Sequence, residues 1–168
     1  MRDEDYMREA VRLARRGLGK TSPNPMVGAV IVRDGRVIGR GYHQRYGENH
    51  AEINALQDTR ENVSGSTIYV NLEPCFHHGK TPPCLDAIIG HQFGRVVMGT
   101  HDPNPLVNGK SEAVLRQKGI KVRAGVLEEE CRLLNEAYFK YITTGRPLVT
   151  LKFAQSLDGR IATAAGNS

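Results

Sequence analysis

The pattern of apolar and polar positions alternates between helical and strand periods along the chain. A helical pattern, with apolar residues on one face, is found over five stretches: residues 3–18, from 50 to 56, after Pro82-Pro83 through Ile89, 111–118 and about 128–143. Strand-like runs rich in β-branched residues are found at five places: residues 27–32, 37–42, 67–72, 95–99 and 120–123. An Asp34-Gly35 turn separates the first two runs. A hairpin followed by strand–helix alternation predicts an α/β sandwich with a mixed sheet of about five strands.

Length and composition place the chain among globular proteins of one domain, or one domain with a stub. It has 168 residues, of which 39% are hydrophobic and 24% charged. No apolar run approaches the roughly 20 residues that cross a bilayer, and the start, Met1-Arg2-Asp3-Glu4-Asp5, is too acidic for a signal peptide. We therefore expect a soluble, cytoplasmic protein with no membrane partner, and leave a homo-oligomer open.

The charge balance is basic but does not identify a partner. The chain has 23 Lys and Arg residues against 18 Asp and Glu, a formal net charge of +5. These basic residues are scattered, and their one tight cluster, Arg12, Arg15 and Arg16, has the spacing of a solvated helix face. A nucleic acid and a small anionic molecule are both compatible with this charge.

Three residues have the chemistry of zinc ligands. His50, Cys75 and Cys84 combine an imidazole with two thiolates, a donor set suited to zinc. A catalytic zinc has three protein ligands and an open water position, so three ligands favour catalysis, provided that none of His77, His78 and Cys131 is a fourth. Cys131 lies in an amphipathic helical stretch and is expected to be a buried apolar residue.

Glu52 is predicted to move protons beside that metal. On an ordinary helix His50 and Glu52 point about 200° apart, but both can approach an ion placed off the helix N-terminus. Pro82-Pro83 predicts that Cys84 also lies in a first helical turn. A carboxylate next to zinc can accept a proton from water and return it to a departing amine, and His-x-Glu with Pro-Cys-x-x-Cys is the signature of zinc nucleobase deaminases. This chain departs from that signature, because eight residues rather than two separate Cys75 from Cys84.

Five sequence motifs resemble those of the riboflavin-biosynthesis pyrimidine deaminases, usually the N-terminal half of a bifunctional deaminase–reductase. They are Pro23-Asn24-Pro25-Met26-Val27-Gly28, Gly41-Tyr42-His43, His50-Ala51-Glu52, Glu73-Pro74-Cys75 continuing through His77-His78-Gly79-Lys80-Thr81-Pro82-Pro83-Cys84, and Asp102-Pro103-Asn104-Pro105. The resemblance covers essentially the whole chain. It implies a three-layer α/β/α cytidine-deaminase-like sandwich with one Zn²⁺ per chain.

The resemblance also implies a substrate, 2,5-diamino-6-ribosylamino-4(3H)-pyrimidinone 5′-phosphate, whose 2-amino group leaves as ammonia. It implies substrate-binding roles for six residues: Asn24, His43, His77, Lys80, Asp102 and Asn104. Lys80 and His77 suit a phosphate or ribose, and the others offer directional donors and acceptors for a polar heterocycle. Without the resemblance, Asn24 and Asn104 beside prolines would be interpreted as turn formers and His43 as an exposed polar residue. The role of His78 stays open.

The resemblance divides the chain at about residue 145. Residues 1–145 match the deaminase domain, and residues 146–168 resemble the start of the family's reductase domain. No G-x-G-x-x-G motif occurs, so NADP is expected only if a further C-terminal domain exists in the full-length protein.

Two other function classes share parts of this pattern. A nucleic-acid deaminase of the tRNA type would use the same zinc and Glu52, although the dispersed charge and the few aromatic residues disfavour it. A zinc module without enzymatic activity is the third interpretation, in which Glu52 has no essential role.

Overall fold

The computed structural model describes residues 1–76, 83–162 and 166. The described helices are α1 (Asp3–Ala14), α2 (Ala51–Asp58), α3 (Cys84–Gly90), α4 (Lys110–Gln117), α5 (Glu128–Leu134) and α6 (Glu136–Thr144), and a 3-10 turn, Arg15–Gly17, follows α1. The described strands are β1 (Gly28–Arg33), β2 (Arg36–Tyr42), β3 (Thr67–Leu72), β4 (Arg95–Thr100) and β5 (Lys121–Arg123).

The strands form one mixed sheet in the order β2-β1-β3-β4-β5, which confirms the predicted sheet. β1 is antiparallel to β2 and β3, whereas β3, β4 and β5 are parallel. The carboxyl ends of β3 and β4 therefore meet the start of β1 and the end of β2 at a single edge of the sheet. The chain segments that leave this edge carry the predicted site residues.

Helices cover both faces of the sheet because neighbouring residues of each strand point to opposite sides. Ile31, Val70 and Met98 pack in one core with α2 and α3. Val30 and Tyr69, their neighbours on the same strands, pack in a second core with α1. The two cores define the expected α/β/α layering. Cys131 lies fully buried in the second core, as its helical pattern predicts.

One predicted helix is two helices in the structure. The stretch 128–143 is broken at Asn135, whose backbone (φ −112°, ψ 24°) leaves the helical conformation between α5 and α6. The Asn135 side chain accepts from the Met26 N–H at 2.8 Å and donates to the Met26 carbonyl at 2.9 Å. This long-range pair of hydrogen bonds turns the chain and directs α6 toward the loop before β1.

Residues 146–162 follow α6 with their side chains exposed, and they contain neither helix nor strand. Within the described residues, no helix has both the length and the apolar character needed to span a membrane.

Candidate metal centre and active site

His50, Cys75 and Cys84 converge on one point in the structure. The possible ligand atoms of all three lie within 4.8 Å of one another. His50 Nδ1 is 3.2 Å from Cys84 Sγ and 3.5 Å from Cys75 Sγ. Atoms that share a tetrahedral zinc at about 2.0–2.3 Å lie about 3.5–3.8 Å apart, so this trio has the size and donor chemistry of a zinc site.

Two helix N-termini present two of these three residues, as the sequence predicts. His50 is the N-cap of α2, and Cys84 is the first residue of α3 after Pro83. The backbone N–H of Cys84 donates to Cys75 Sγ at 3.1 Å, so the start of α3 stabilises a thiolate there. Hydrogen bonds from Cys84 and His50 outweigh burial and lower the pKa of Cys75 to about 4. A thiolate is the form that binds a metal.

Glu52 is a buried carboxyl group beside this trio. The residue is 2% exposed and lies in the first turn of α2. Its Oε2 has no hydrogen-bond partner in the described part of the chain, which is rare for a buried oxygen. Burial, followed by the neighbouring Cys75, raises the pKa of Glu52. A carboxyl whose pKa is raised in this way is suited to accepting and releasing a proton.

A cavity of about 450 Å³ is lined by Glu52 and by two of the trio, His50 and Cys75. This volume lies in the range of small-molecule sites. Its walls include four of the six residues predicted to bind substrate: Asn24, His43, Asp102 and Asn104. The other two, His77 and Lys80, lie outside the described residues, as does His78, and their roles remain predictions.

Hydrogen bonds fix the tautomer of His43 and the amide of Asn24. His43 Nδ1 lies 3.0 Å from the Asn49 carbonyl, which can only accept, so Nδ1 carries the proton. His43 Nε2, 3.2 Å from Asn24 Nδ2, therefore accepts from the Asn24 amide. Burial lowers the pKa of His43 and keeps the ring neutral. With its residue only 2% exposed, His43 is not the exposed polar residue that the strand pattern alone would suggest.

The loop after β4 holds Asp102 and Asn104 at the opposite wall. Asp102 is 7% exposed, and its Oδ1 accepts the Asn104 N–H at 2.9 Å. Asn104 Oδ1 accepts the Leu106 N–H at 3.0 Å. Asn104 is therefore a turn former that also lines the cavity, which combines the two interpretations that the sequence left open.

Two residues of the site have no role in the sequence interpretation. Glu73 lines the cavity and accepts hydrogen bonds from four backbone N–H groups, one in the loop after β4 and three around the start of α4. Tyr138, on α6, lines the cavity and donates its hydroxyl proton to Asp102. The position of Glu73 directly before Pro74-Cys75 was a local signal that could have been used, whereas no spacing in the sequence points to Tyr138.

Known proteins resemble this chain in both sequence and structure. Residues 1–100 match the family described as the cytidine and deoxycytidylate deaminase zinc-binding region. The riboflavin biosynthesis protein RibD of Aquifex aeolicus is 54% identical over 166 residues, which are 99% of this chain and 47% of that protein. The diaminohydroxyphosphoribosylamino-pyrimidine deaminase of Buchnera aphidicola is 50% identical over 147 residues, 88% of this chain and all of that protein.

A solved structure has the same fold. The deaminase/5-amino-6-(5-phosphoribosylamino)uracil reductase of Thermotoga maritima superposes with a TM-score of 0.94 at 49% identity, over 99% of this chain and 48% of that one. The chain thus spans about half the length of the RibD proteins that it resembles.

Proposed function

This chain belongs to the cytidine and deoxycytidylate deaminase zinc-binding family, and we propose that it deaminates 2,5-diamino-6-ribosylamino-4(3H)-pyrimidinone 5′-phosphate in riboflavin biosynthesis. The products are 5-amino-6-ribosylamino-2,4-pyrimidinedione 5′-phosphate and ammonia. The observation that carries the proposal is that Glu52, His50 and Cys75 line one cavity, with Cys84 grouped beside His50 and Cys75. Relatives named for this pathway, at about 50% identity over most of the chain, support the choice of substrate.

The metal centre would be held by His50, Cys75 and Cys84. When bound, zinc supplies the Lewis acidity that makes a water molecule nucleophilic near neutral pH. The protein's contribution is to favour the thiolate of Cys75, through the backbone N–H at the start of α3, and to place His50 at the start of α2.

Glu52 would carry the proton through the reaction. Its carboxylate takes a proton from the attacking water as oxygen adds to C2 of the ring. That proton passes to the ring nitrogen whose double bond to C2 opens. Glu52 then takes the proton of the hydroxyl now on C2 and gives it to the 2-amino nitrogen, so the exocyclic C2–N bond breaks, ammonia leaves and C2 becomes a carbonyl carbon. The raised pKa of Glu52 supports both halves of this transfer, because burial makes the carboxylate a better proton acceptor than an exposed one.

Recognition would divide between the two walls of the cavity. Asn24 and His43 lie on the wall before β1 and after β2, and Asp102 and Asn104 lie on the wall after β4. We assign His77 and Lys80 to the phosphate or ribose, as the resemblance implies. A small phosphorylated pyrimidine, rather than a nucleic acid, is the partner that we propose.

The division of the chain is also part of the proposal. Residues 1–145 would form the deaminase domain, and residues 146–168 would begin a second, reductase-like region. NADP would bind only to such a region. The cytoplasmic location and any homo-oligomer remain predictions.

The test is ammonia release from the diaminopyrimidine nucleotide by the zinc-loaded chain, with cytidine, adenosine and tRNA as competing substrates. Glu52→Gln should keep its zinc and lose about 10²- to 10⁴-fold in kcat. The matched control is Glu61→Gln, at an exposed carboxylate beyond α2, which should keep both zinc and activity. Cys75→Ser and Cys84→Ser should each lose zinc. Preferential turnover of tRNA or cytidine would overturn the substrate, and near-normal turnover by Glu52→Gln would overturn the mechanism.

A further inference from the structure

We propose that Tyr138 is a positioning residue, whose hydroxyl fixes the orientation of the Asp102 carboxylate in the cavity wall and so sets the affinity for the nucleotide. This inference rests on the proposed function, because it takes Asp102 as a group that contacts the substrate. It concerns a helix, α6, that lies outside residues 1–100, the stretch matched by the zinc-binding deaminase family.

Helix α6 forms one wall of the cavity. Asn135, 3% exposed, ties the start of α6 to both backbone polar groups of Met26. Met26 follows the loop that carries Asn24, so α6 and that loop are held together. From this anchored start, three residues of α6 reach the cavity lining: Tyr138, Tyr141 and Ile142.

Tyr138 donates a hydrogen bond to the Asp102 carboxylate. The Tyr138 hydroxyl lies 3.0 Å from Oδ1 and 3.2 Å from Oδ2 of Asp102, and so faces the carboxylate as a whole. Burial, together with the Asp102 charge, raises the pKa of Tyr138, so its hydroxyl stays protonated and donates.

The Tyr138 hydrogen bond controls the rotation of the Asp102 carboxylate, a torsion with little conformational preference of its own. The terminal torsion of an aspartate side chain has a broad energy well, so the carboxylate plane is set by its partners. The Asn104 N–H binds Oδ1 alone, whereas the Tyr138 hydroxyl lies near both oxygens and therefore acts on the plane of the carboxylate. Without the phenol proton the plane would turn, and donors of the substrate would meet a misdirected acceptor.

The experiment is Tyr138→Phe with Tyr69→Phe as its matched control. The Tyr69 hydroxyl donates to Asp3 Oδ1 at 2.8 Å, also a part-buried phenol–carboxylate bond, and Tyr69 is not among the residues that line the cavity. Both variants should lose similar thermal stability. Tyr138→Phe alone should raise KM roughly tenfold, the loss expected for one hydrogen bond to a charged group, with kcat within about twofold. Equal KM values in the two variants would overturn the proposal.

A second measurement isolates binding from turnover. In zinc-loaded Glu52→Gln protein, calorimetry with the same nucleotide should show a roughly tenfold weaker Kd when Tyr138→Phe is added. In protein that also carries Asp102→Asn, the effect of Tyr138→Phe should fall below about twofold, because the two residues act as a unit. Independent, additive losses would overturn the positioning role. If the parent protein neither binds nor deaminates the nucleotide, the proposed function fails, and this inference fails with it.

Discussion

Glu73 is predicted to be the buried carboxylate on which the substrate loop depends. It is 3% exposed and directly precedes Pro74 and the proposed metal ligand Cys75. Its Oε2 accepts the N–H groups of Gly109 at 2.9 Å and Asp102 at 3.3 Å. One side chain therefore joins the end of β3, the loop that carries Asp102, and the start of α4.

The other carboxylate oxygen of Glu73, Oε1, binds the start of α4. Oε1 accepts from Ser111 at 3.1 Å and from Glu112 at 3.5 Å, and the Ser111 hydroxyl donates to the Pro74 carbonyl at 2.7 Å. Glu73→Gln keeps the shape, but its amide nitrogen would face two N–H donors and could accept from neither. Losing two hydrogen bonds to a charged acceptor should lower the free energy of unfolding by about 3–5 kcal/mol.

Urea unfolding of the zinc-loaded protein measures this loss. The control is Glu129→Gln, which removes an exposed carboxylate from the first turn of α5 and should cost no more than about 0.5 kcal/mol. Because Glu73 holds the Asp102 loop, Glu73→Gln should also raise KM for the nucleotide. A loss below about 1 kcal/mol with an unchanged KM would refute the reasoning, since it would mean that the loop is held by other contacts.

Three further predictions concern acid stability, core packing and the phosphate. Burial raises the pKa of Asp3, but accepted hydrogen bonds, led by the one from Arg95, lower it from 3.8 to about 2. Ionised Asp3 therefore stabilises the fold above pH 4, and this stability is lost toward pH 2. In acid unfolding, Asp3→Asn should remove about 1–2 kcal/mol of this pH-dependent stability. Gly99→Ala should lower the melting temperature, because the added carbon would lie 2.6 Å from the Asn71 backbone oxygen, and an unchanged melting temperature would contradict this packing. Lys80→Ala should raise KM for the phosphorylated substrate by a factor equivalent to about 1.5–3 kcal/mol of binding free energy, and should change KM for the nucleoside little. Equal losses in kcat/KM on both substrates would assign Lys80 to the ring or ribose.

The metal centre could be predicted from the sequence because local rules determine its parts. A histidine at a helix N-cap, a carboxylate two residues later and a cysteine after a proline each have meaning within one turn of chain. His50, Glu52 and Cys84 occupy those positions in the structure. The hairpin was equally local, because the period of apolar residues and the Asp34-Gly35 turn specify it. The parallel strands follow from the alternation of strand and helix patterns along the chain.

The far wall of the cavity could not be predicted in the same way, because long-range hydrogen bonds between buried polar groups build it. The break at Asn135 depends on Met26, which is 109 residues away in the sequence, and Tyr138 meets Asp102 across 36 residues. In the sequence pattern, residues 128–143 are therefore one continuous amphipathic helix. A buried polar side chain needs a hydrogen-bond partner, but the neighbouring sequence does not identify that partner.

Substitutions in the two parts of the site should therefore have different effects on the reaction. Substitution of a proposed metal ligand such as Cys84 should remove the chemistry itself, because the local geometry has no substitute for the donor. Substitution on α6, by contrast, leaves the metal trio and Glu52 in place and alters the shape and polarity of the wall that the substrate meets. A family that keeps the deaminase region of residues 1–100 can therefore take different substrates by changing the helix packed over it. On this reasoning, selection for an altered substrate should yield changes at Tyr138, Tyr141 and Ile142 before changes at the residues around the metal.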